Sequence, residues 1–180
     1  VGRSNVGKST LFNAIAEEQR ALVRPEAGTT RDVLDAEVSW RGTRFTLVDT
    51  GGLDPARQDT YREAIITHAL SAQKQAAVVL FLVDVTIGPL DDETRIAKEL
   101  RKLGAPILLV INKCDNASRR RRAGAFARFN LASFPVSASN GSGIGDLLDA
   151  VVDKLPESDD EQPKARVTLA LIGKPNVGKS

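Results

Sequence analysis

The chain has no methionine and only one cysteine, one tryptophan, one tyrosine and one histidine. A lone cysteine, Cys114, excludes an intramolecular disulfide and suits a reducing, cytoplasmic compartment. There is no run of about 18 apolar residues to span a membrane, and no secretory signal is visible. Neither sign of charge dominates: 25 Lys and Arg stand against 23 Asp and Glu, a formal net charge of +2 with a pI near 8.8. Bulk charge therefore declares no polyanionic partner. What is present, 42% hydrophobic residues in 180, is enough for one domain with a real core.

Two copies of one short pattern stand near the two ends. Gly2-Arg3-Ser4-Asn5-Val6-Gly7-Lys8-Ser9 and Gly173-Lys174-Pro175-Asn176-Val177-Gly178-Lys179-Ser180 both fit G-x-x-x-x-G-K-[ST], and both place Asn-Val before the second glycine. Glycines at these positions let backbone N–H groups wrap phosphate oxygens at a helix start. The lysine reaches the β- and γ-phosphates, and the serine hydroxyl can bind magnesium. Thr10 extends the first cradle into its helix.

The segments between them alternate. Helices are expected at Lys8–Arg20, Tyr61–Gln75, Asp92–Leu103, Ser118–Phe129 and Ile144–Leu155. Strands are expected at Asp35–Trp40, Phe45–Asp49, Ala77–Val85, Pro106–Asn112 and Phe134–Ser137, the first two joined as a hairpin by Arg41-Gly42-Thr43. The almost wholly apolar run ending at Asp84 reads as a strand covered on both faces. The pattern implies an α/β fold, a doubly wound and mostly parallel sheet flanked by helices, with ligands at the carboxyl ends of its strands.

Residues 1–155 are read as one nucleotide-binding domain, 156–166 as an acidic linker and 167–180 as the start of a second such domain. Phosphate loops normally follow a buried strand. The chain opens inside the motif, so the expectation is truncation at both ends. The apolar segment 167–172, tethered by a linker that can extend by about 3.3 Å per residue, is then expected to fill the central slot of the sheet. Gly173–Ser180 would compete there with Gly2–Ser9 for one phosphate position.

The strand ends carry the rest of a guanine-nucleotide site in the order it requires. After Leu47-Val48 comes Asp49-Thr50-Gly51-Gly52: an aspartate that can hold magnesium through water, and the N–H of Gly52 for a γ-phosphate. Asn112-Lys113-Cys114-Asp115 follows another strand. Its Asp115 can accept from the ring N–H and exocyclic amine of guanine, whereas adenine would leave that carboxylate unpaired. Ser137-Ala138-Ser139, at the next strand end, can offer a backbone N–H to guanine O6. Ala27-Gly28-Thr29-Thr30-Arg31-Asp32 sits where a loop can close over magnesium when the γ-phosphate is present. Together these describe a P-loop NTPase of the Ras-like GTPase type.

On these motifs the chain resembles the EngA (also called Der) family, bacterial GTPases with two consecutive GTP-binding domains that assist assembly of the large (50S) ribosomal subunit. The resemblance covers essentially the whole chain: one domain, the linker and the opening of the second. It implies GTP hydrolysis, magnesium and potassium as cofactors, the ribosomal subunit and its rRNA as partners, and a second GTPase domain and a C-terminal domain in the same protein. It assigns Thr30 as the switch threonine and Asn5 as a potassium ligand. Lys8, Thr30 and Gly52 are then the residues that serve the chemistry. Leu53 stands where many GTPases place a water-orienting glutamine, so hydrolysis is expected to be slow and stimulated by potassium; Arg31 is the one arginine considered as a finger. Ser4 replaces the family's usual proline, which Pro175 supplies in the second loop. Alternatives are a non-hydrolysing GTP-binding scaffold and a GTPase of tRNA modification like MnmE, to which Gly28-Thr29-Thr30-Arg31-Asp32-Val33 is similar.

The densest positive charge, Arg119–Arg122 with Arg128, reads first as a solvated helix face and second as a contact for ribosomal RNA phosphates. His68, Trp40, Tyr61 and Cys114 are assigned to packing or loop filling rather than to catalysis or base stacking.

Overall fold

The computed structural model describes residues 6–18, 22–25, 34–49, 76–156 and 168–171. In chain order the elements are α1 (Lys8–Glu18), β1 (Leu22–Pro25), β2 (Leu34–Trp40), β3 (Thr43–Asp49), β4 (Ala76–Asp84), α2 (Asp91–Leu100), β5 (Ile107–Asn112), α3 (Ala117–Arg122), β6 (Ala132–Pro135), α4 (Ile144–Val152) and β7 (Thr168–Leu171). Helix α2 runs on into a 3-10 turn at Arg101–Leu103, and α3 into a longer one at Ala123–Phe129.

Seven strands form one sheet in the order β1-β2-β3-β7-β4-β5-β6. The hairpin pairs β2 with β3 in antiparallel register, and β1 is antiparallel to β2. The other four pairings are parallel. β7 therefore lies between β3 and β4, the central position expected for the segment 167–172. It sets Leu171 beside Asp49 on one side and beside Leu80 on the other.

Alternation along β4 explains the layers. Val78, Leu80 and Leu82 enter one core with Leu11, Phe12 and Ile15 of α1 and Leu147, Leu148 and Val151 of α4. Val79, Phe81 and Val83 enter the other, with Ile96 and Leu100 of α2 and Phe126 and Phe129 of the second 3-10 turn. Phe129 stacks on Phe81 at 6.2 Å and meets Phe126 edge-on at 5.6 Å. Each fully buried aliphatic or aromatic side chain contributes about 1.5–3 kcal/mol, so a strand burying both faces anchors the whole sheet.

The hairpin turn is tighter than expected. Arg41 and Gly42 alone form it, with φ of 48° and 83°, and Thr43 already pairs with Trp40. Two consecutive positive φ values match the twist of the flanking strands. The indole N–H of Trp40 donates to Asp149 over 2.6 Å, and Arg41 pairs with the same carboxylate at 2.9 Å, pinning the hairpin end to α4.

Other boundaries differ from the expectation. The helix expected at Ser118–Phe129 is α-helical only to Arg122. The strand expected at Phe134–Ser137 is Ala132–Pro135, and α4 stops at Val152. β1 was not expected at all. The expected helix Tyr61–Gln75, with Tyr61 and His68, lies outside the described residues. Among the described residues no helix is long and apolar enough to cross a membrane.

Candidate nucleotide-binding site

The carboxyl ends of β3, β4 and β5 and the start of α1 meet at one edge of the sheet. The turn before α1 needs Gly7: its φ is 90°, and a Cβ there would run into the side-chain amide of Asn112. Lys8 follows, buried although charged. Burial pulls its ammonium down to about 8, and the nearby Asp49 carboxylate opposes that fall. Ser9 Oγ donates to Asp49 Oδ2 at 3.1 Å, which brings a hydroxyl and a strand-end carboxylate together beside the phosphate loop. Hard oxygen donors of this kind suit magnesium, which takes one or two protein oxygens and completes its shell with water and phosphate.

Asn112, at the end of β5, is buried and uses both ends of its amide. Nδ2 donates to the Val6 carbonyl at 2.7 Å, and Oδ1 accepts from the Ala138 N–H at 3.0 Å. One side chain thus joins the phosphate loop to the loop after β6. The parallel register sets Asp84 beside Asn112. Asp84 accepts from the Thr86 N–H at 2.8 Å and the Thr86 hydroxyl at 2.6 Å, and its other oxygen holds Lys113 Nζ at 2.6 Å. Burial alone would push the Asp84 carboxyl up. Lys113 and the two Thr86 donors outweigh it and hold the group below its ordinary 3.8. Lys113 itself has a left-handed backbone, φ 65°, which turns the chain sharply after β5.

Asp115 lies at the rim. Ser137 Oγ donates to its Oδ1 at 2.7 Å and Ser139 Oγ to the same oxygen at 3.1 Å, while the Arg119 guanidinium pairs with Oδ2. Ser137 above all, then Ser139 and Arg119, hold this carboxyl below 3.8 against a partial loss of solvation. The backbone N–H groups of the loop are also engaged: Ser137 N donates to Ser142 O at 2.8 Å, and Ala138 N to Asn112 as above. Cys114 is buried, its thiol pushed up by burial and donating to the Ile111 carbonyl at 3.3 Å.

The family model described as 50S ribosome-binding GTPase matches residues 1–113, a span from the first phosphate loop through Asn112 and Lys113. The chain belongs to that GTPase family. Among curated relatives, GTPase Der of Desulforudis audaxviator is 43% identical over 181 residues, covering 100% of this chain and 41% of that protein. GTPase Der of Heliobacterium modesticaldum is 45% identical over 184 residues, again across 100% of this chain and 41% of its own length. The chain therefore spans about two fifths of the curated relatives it matches. Among solved structures, the G domain of the T. maritima FeoB iron transporter superposes with a TM-score of 0.64 at 21% identity, covering 86% of this chain and 94% of that one. Elongation factor SelB from Methanococcus maripaludis gives 0.59 at 22% identity, over 88% and 33% of the two chains. These likenesses establish a Ras-like GTPase fold.

Of the sequence-derived site residues, the structure brings Val6, Gly7, Lys8, Ser9, Thr10, Asp49, Asn112, Lys113, Asp115, Ser137 and Ala138 to this one edge. Gly2, Asn5, Thr30, Arg31, Gly52, Leu53, Gly173, Asn176, Gly178, Lys179 and Ser180 lie outside the described residues. Sequence reasoning missed Asp84, and it named Ser139 as part of the Ser137-Ala138-Ser139 turn without its bond to Asp115. A clue to Asp84 was present, since it is the only charge in a run of apolar residues that ends one strand before Asn112.

The arginine-rich helix is a solvated face as expected, with no buried residue, and its arginines also reach neighbouring loops. Arg120 donates to Ser142 Oγ at 2.8 Å, Arg122 to the Thr86 carbonyl at 3.2 Å, and Arg128 pairs with Asp91. With Arg119 on Asp115, arginines of this segment clasp the loops after β4, β5 and β6 in this GTPase-family domain.

Proposed function

We propose that this chain binds GTP and GDP with magnesium and hydrolyses GTP, acting as a nucleotide-controlled switch that assists assembly of the large ribosomal subunit. The observation that carries the reading is the junction at Asn112. It ties a phosphate loop holding a buried lysine to a loop whose serines aim a carboxylate at the rim.

Each residue then has a task. Gly7 lets the backbone approach the phosphates, and Lys8 neutralises their charge from a poorly solvated position where that charge counts most. Ser9 and Asp49 would hold magnesium, directly and through water respectively, and the ion would supply neutralisation of the β- and γ-phosphate oxygens. Asp115 reads the two donors of guanine, positioned by Ser137. Asp84 fixes Lys113, whose alkyl stem can then cover the face of the base. Gly52 and Thr30 are assigned to the γ-phosphate and to magnesium, and Asn5 to a potassium ion near the bridging oxygen. The second loop, with Gly173, Asn176, Gly178, Lys179 and Ser180, is assigned to a further GTP site.

The proposed partners are the 50S subunit and its rRNA, a second GTPase domain and a C-terminal domain of the same protein, in the cytoplasm. The match to a 50S ribosome-binding GTPase model and the identity to GTPase Der along the whole chain support them. Single-turnover hydrolysis of GTP with magnesium, in potassium and in sodium, tests the switch. Hydrolysis faster in potassium is expected. Binding without hydrolysis in either salt would replace the enzyme by a GTP-binding scaffold.

A further inference from the structure

Asp115 already carries three side-chain donors. Three donors reach it: Ser137 and Ser139 on Oδ1, and Arg119 on Oδ2. A carboxylate offers about four lone-pair sites. Guanine brings two further donors, its ring N–H and its exocyclic amine, side by side and aimed at one oxygen each. Five donors do not fit on four sites, and Oδ1 is full before guanine arrives.

The three present donors differ in their freedom to leave. Ser137 is completely buried. Ser139 is exposed and has a second partner, Ser137 Oγ at 3.0 Å, to which it can turn. The Arg119 side chain is 39% exposed and opens directly to solvent. These two surface donors address different oxygens of Asp115, as the two guanine donors would.

We propose that Arg119 and Ser139 hold the positions on Asp115 that the two guanine donors would take, so that nucleotide entry is an exchange of hydrogen-bond donors. The arrangement is built into the chain. Asn116 caps α3 by accepting the Arg119 N–H at 2.9 Å, which sets Arg119 one helical turn beyond Asp115, where an i,i+4 pair meets. Arg120 and Arg122 are directed elsewhere, to Ser142 and the Thr86 carbonyl. The two stand-ins lower guanine affinity and hasten release without altering the phosphate loop. This inference rests on Asp115 as the guanine reader.

Titration calorimetry with GDP and inosine diphosphate, which lacks the exocyclic amine, tests it on the parent, Arg119→Ala, Ser139→Ala and the double variant. Arg119→Ala is expected to bind GDP roughly two- to fivefold tighter, the range of an exposed ion pair, and the double variant tighter still. In the double variant the gain for inosine diphosphate should be smaller than that for GDP, because that base displaces one donor rather than two. The Arg119→Ala gain should also shrink in high sodium chloride, which screens the pair it removes. Unchanged or weaker GDP binding by Arg119→Ala would overturn the exchange and make Arg119 a positioning group that stays beside Asp115. Equal gains for the two nucleotides in the double variant would overturn it as well. A parent that binds xanthine or adenine diphosphate but not GDP would instead remove the reading of Asp115, and the inference with it.

Discussion

Asn112 donates from its side-chain amide to the Val6 carbonyl across 2.7 Å, so the end of β5 holds the entrance of α1 in place. The two residues are far apart in sequence, and the bond is buried. It makes the loop before α1 and the loops after β5 and β6 one mechanical unit.

Replacing Asn112 by alanine leaves the Val6 carbonyl and the Ala138 N–H without that partner in a buried place. Each such loss costs about 1–3 kcal/mol. Urea denaturation should show a loss of at least the size of one such group, and GDP affinity should fall with it. A variant as stable as the parent would mean that the junction carries no load.

Gly7→Ala should be worse for binding than its size suggests. The residue needs φ of 90°, and its Cβ would meet the Asn112 amide. A left-handed non-glycine residue costs about 1–3 kcal/mol, and moving Asn112 aside to make room breaks the Val6 bond. Thermal unfolding with and without GDP should show both a lower midpoint and a smaller shift on adding nucleotide.

Asp115→Asn should lose guanine nucleotides by more than about tenfold and gain xanthine nucleotides, since a carboxamide can donate to the extra carbonyl. It also gives up the ion pair with Arg119. Competition between GDP and xanthosine diphosphate measures the change. Retained GDP preference would show that the base is read elsewhere.

Asp84 sets an acid limit. Its carboxyl is held below 3.8 in the folded protein, so the unfolded chain takes up its proton first as pH falls. The stabilisation it provides is fully present above the ordinary carboxylate value and is lost as pH drops through the lower folded value. Urea midpoints between about pH 2 and pH 6 should fall less steeply in Asp84→Asn than in the parent. That variant should start lower at neutral pH, having weakened the hold on Lys113. Parallel curves would assign the acid sensitivity to other groups.

Much of this architecture was legible because burial imposes a period. Leu11, Phe12 and Ile15 recur at helical spacing because one face of α1 is covered, and Ala76–Val83 is continuously apolar because β4 is covered on both. The missing pieces depend on partners remote in sequence. Leu22–Pro25 contains arginine and proline and has no strand pattern; it is a strand because β2 offers it an edge. β6 lies at Ala132–Pro135 because that stretch falls in register with Leu108–Ile111. The site motifs named Asn112, Lys113 and Asp115, but what holds Lys113 depends on the β4–β5 register and on a positive φ. The arginines are the solvated face that their charge suggested, but charge alone does not reveal a neighbour. Their partners Ser142, Thr86 and Asp91 come from other turns of the chain.

The place of β7 has a consequence for how the sheet of this chain closes. β3 and β4 do not pair with each other; each pairs with Thr168–Leu171 between them. The β1–β2–β3 and β4–β5–β6 groups can each gather through pairings nearer in sequence. Joining them through β7 brings together segments remote in sequence, so loop closure makes that step slow. A change that loosens β7 opens the inner edges of β3 and β4 to another strand.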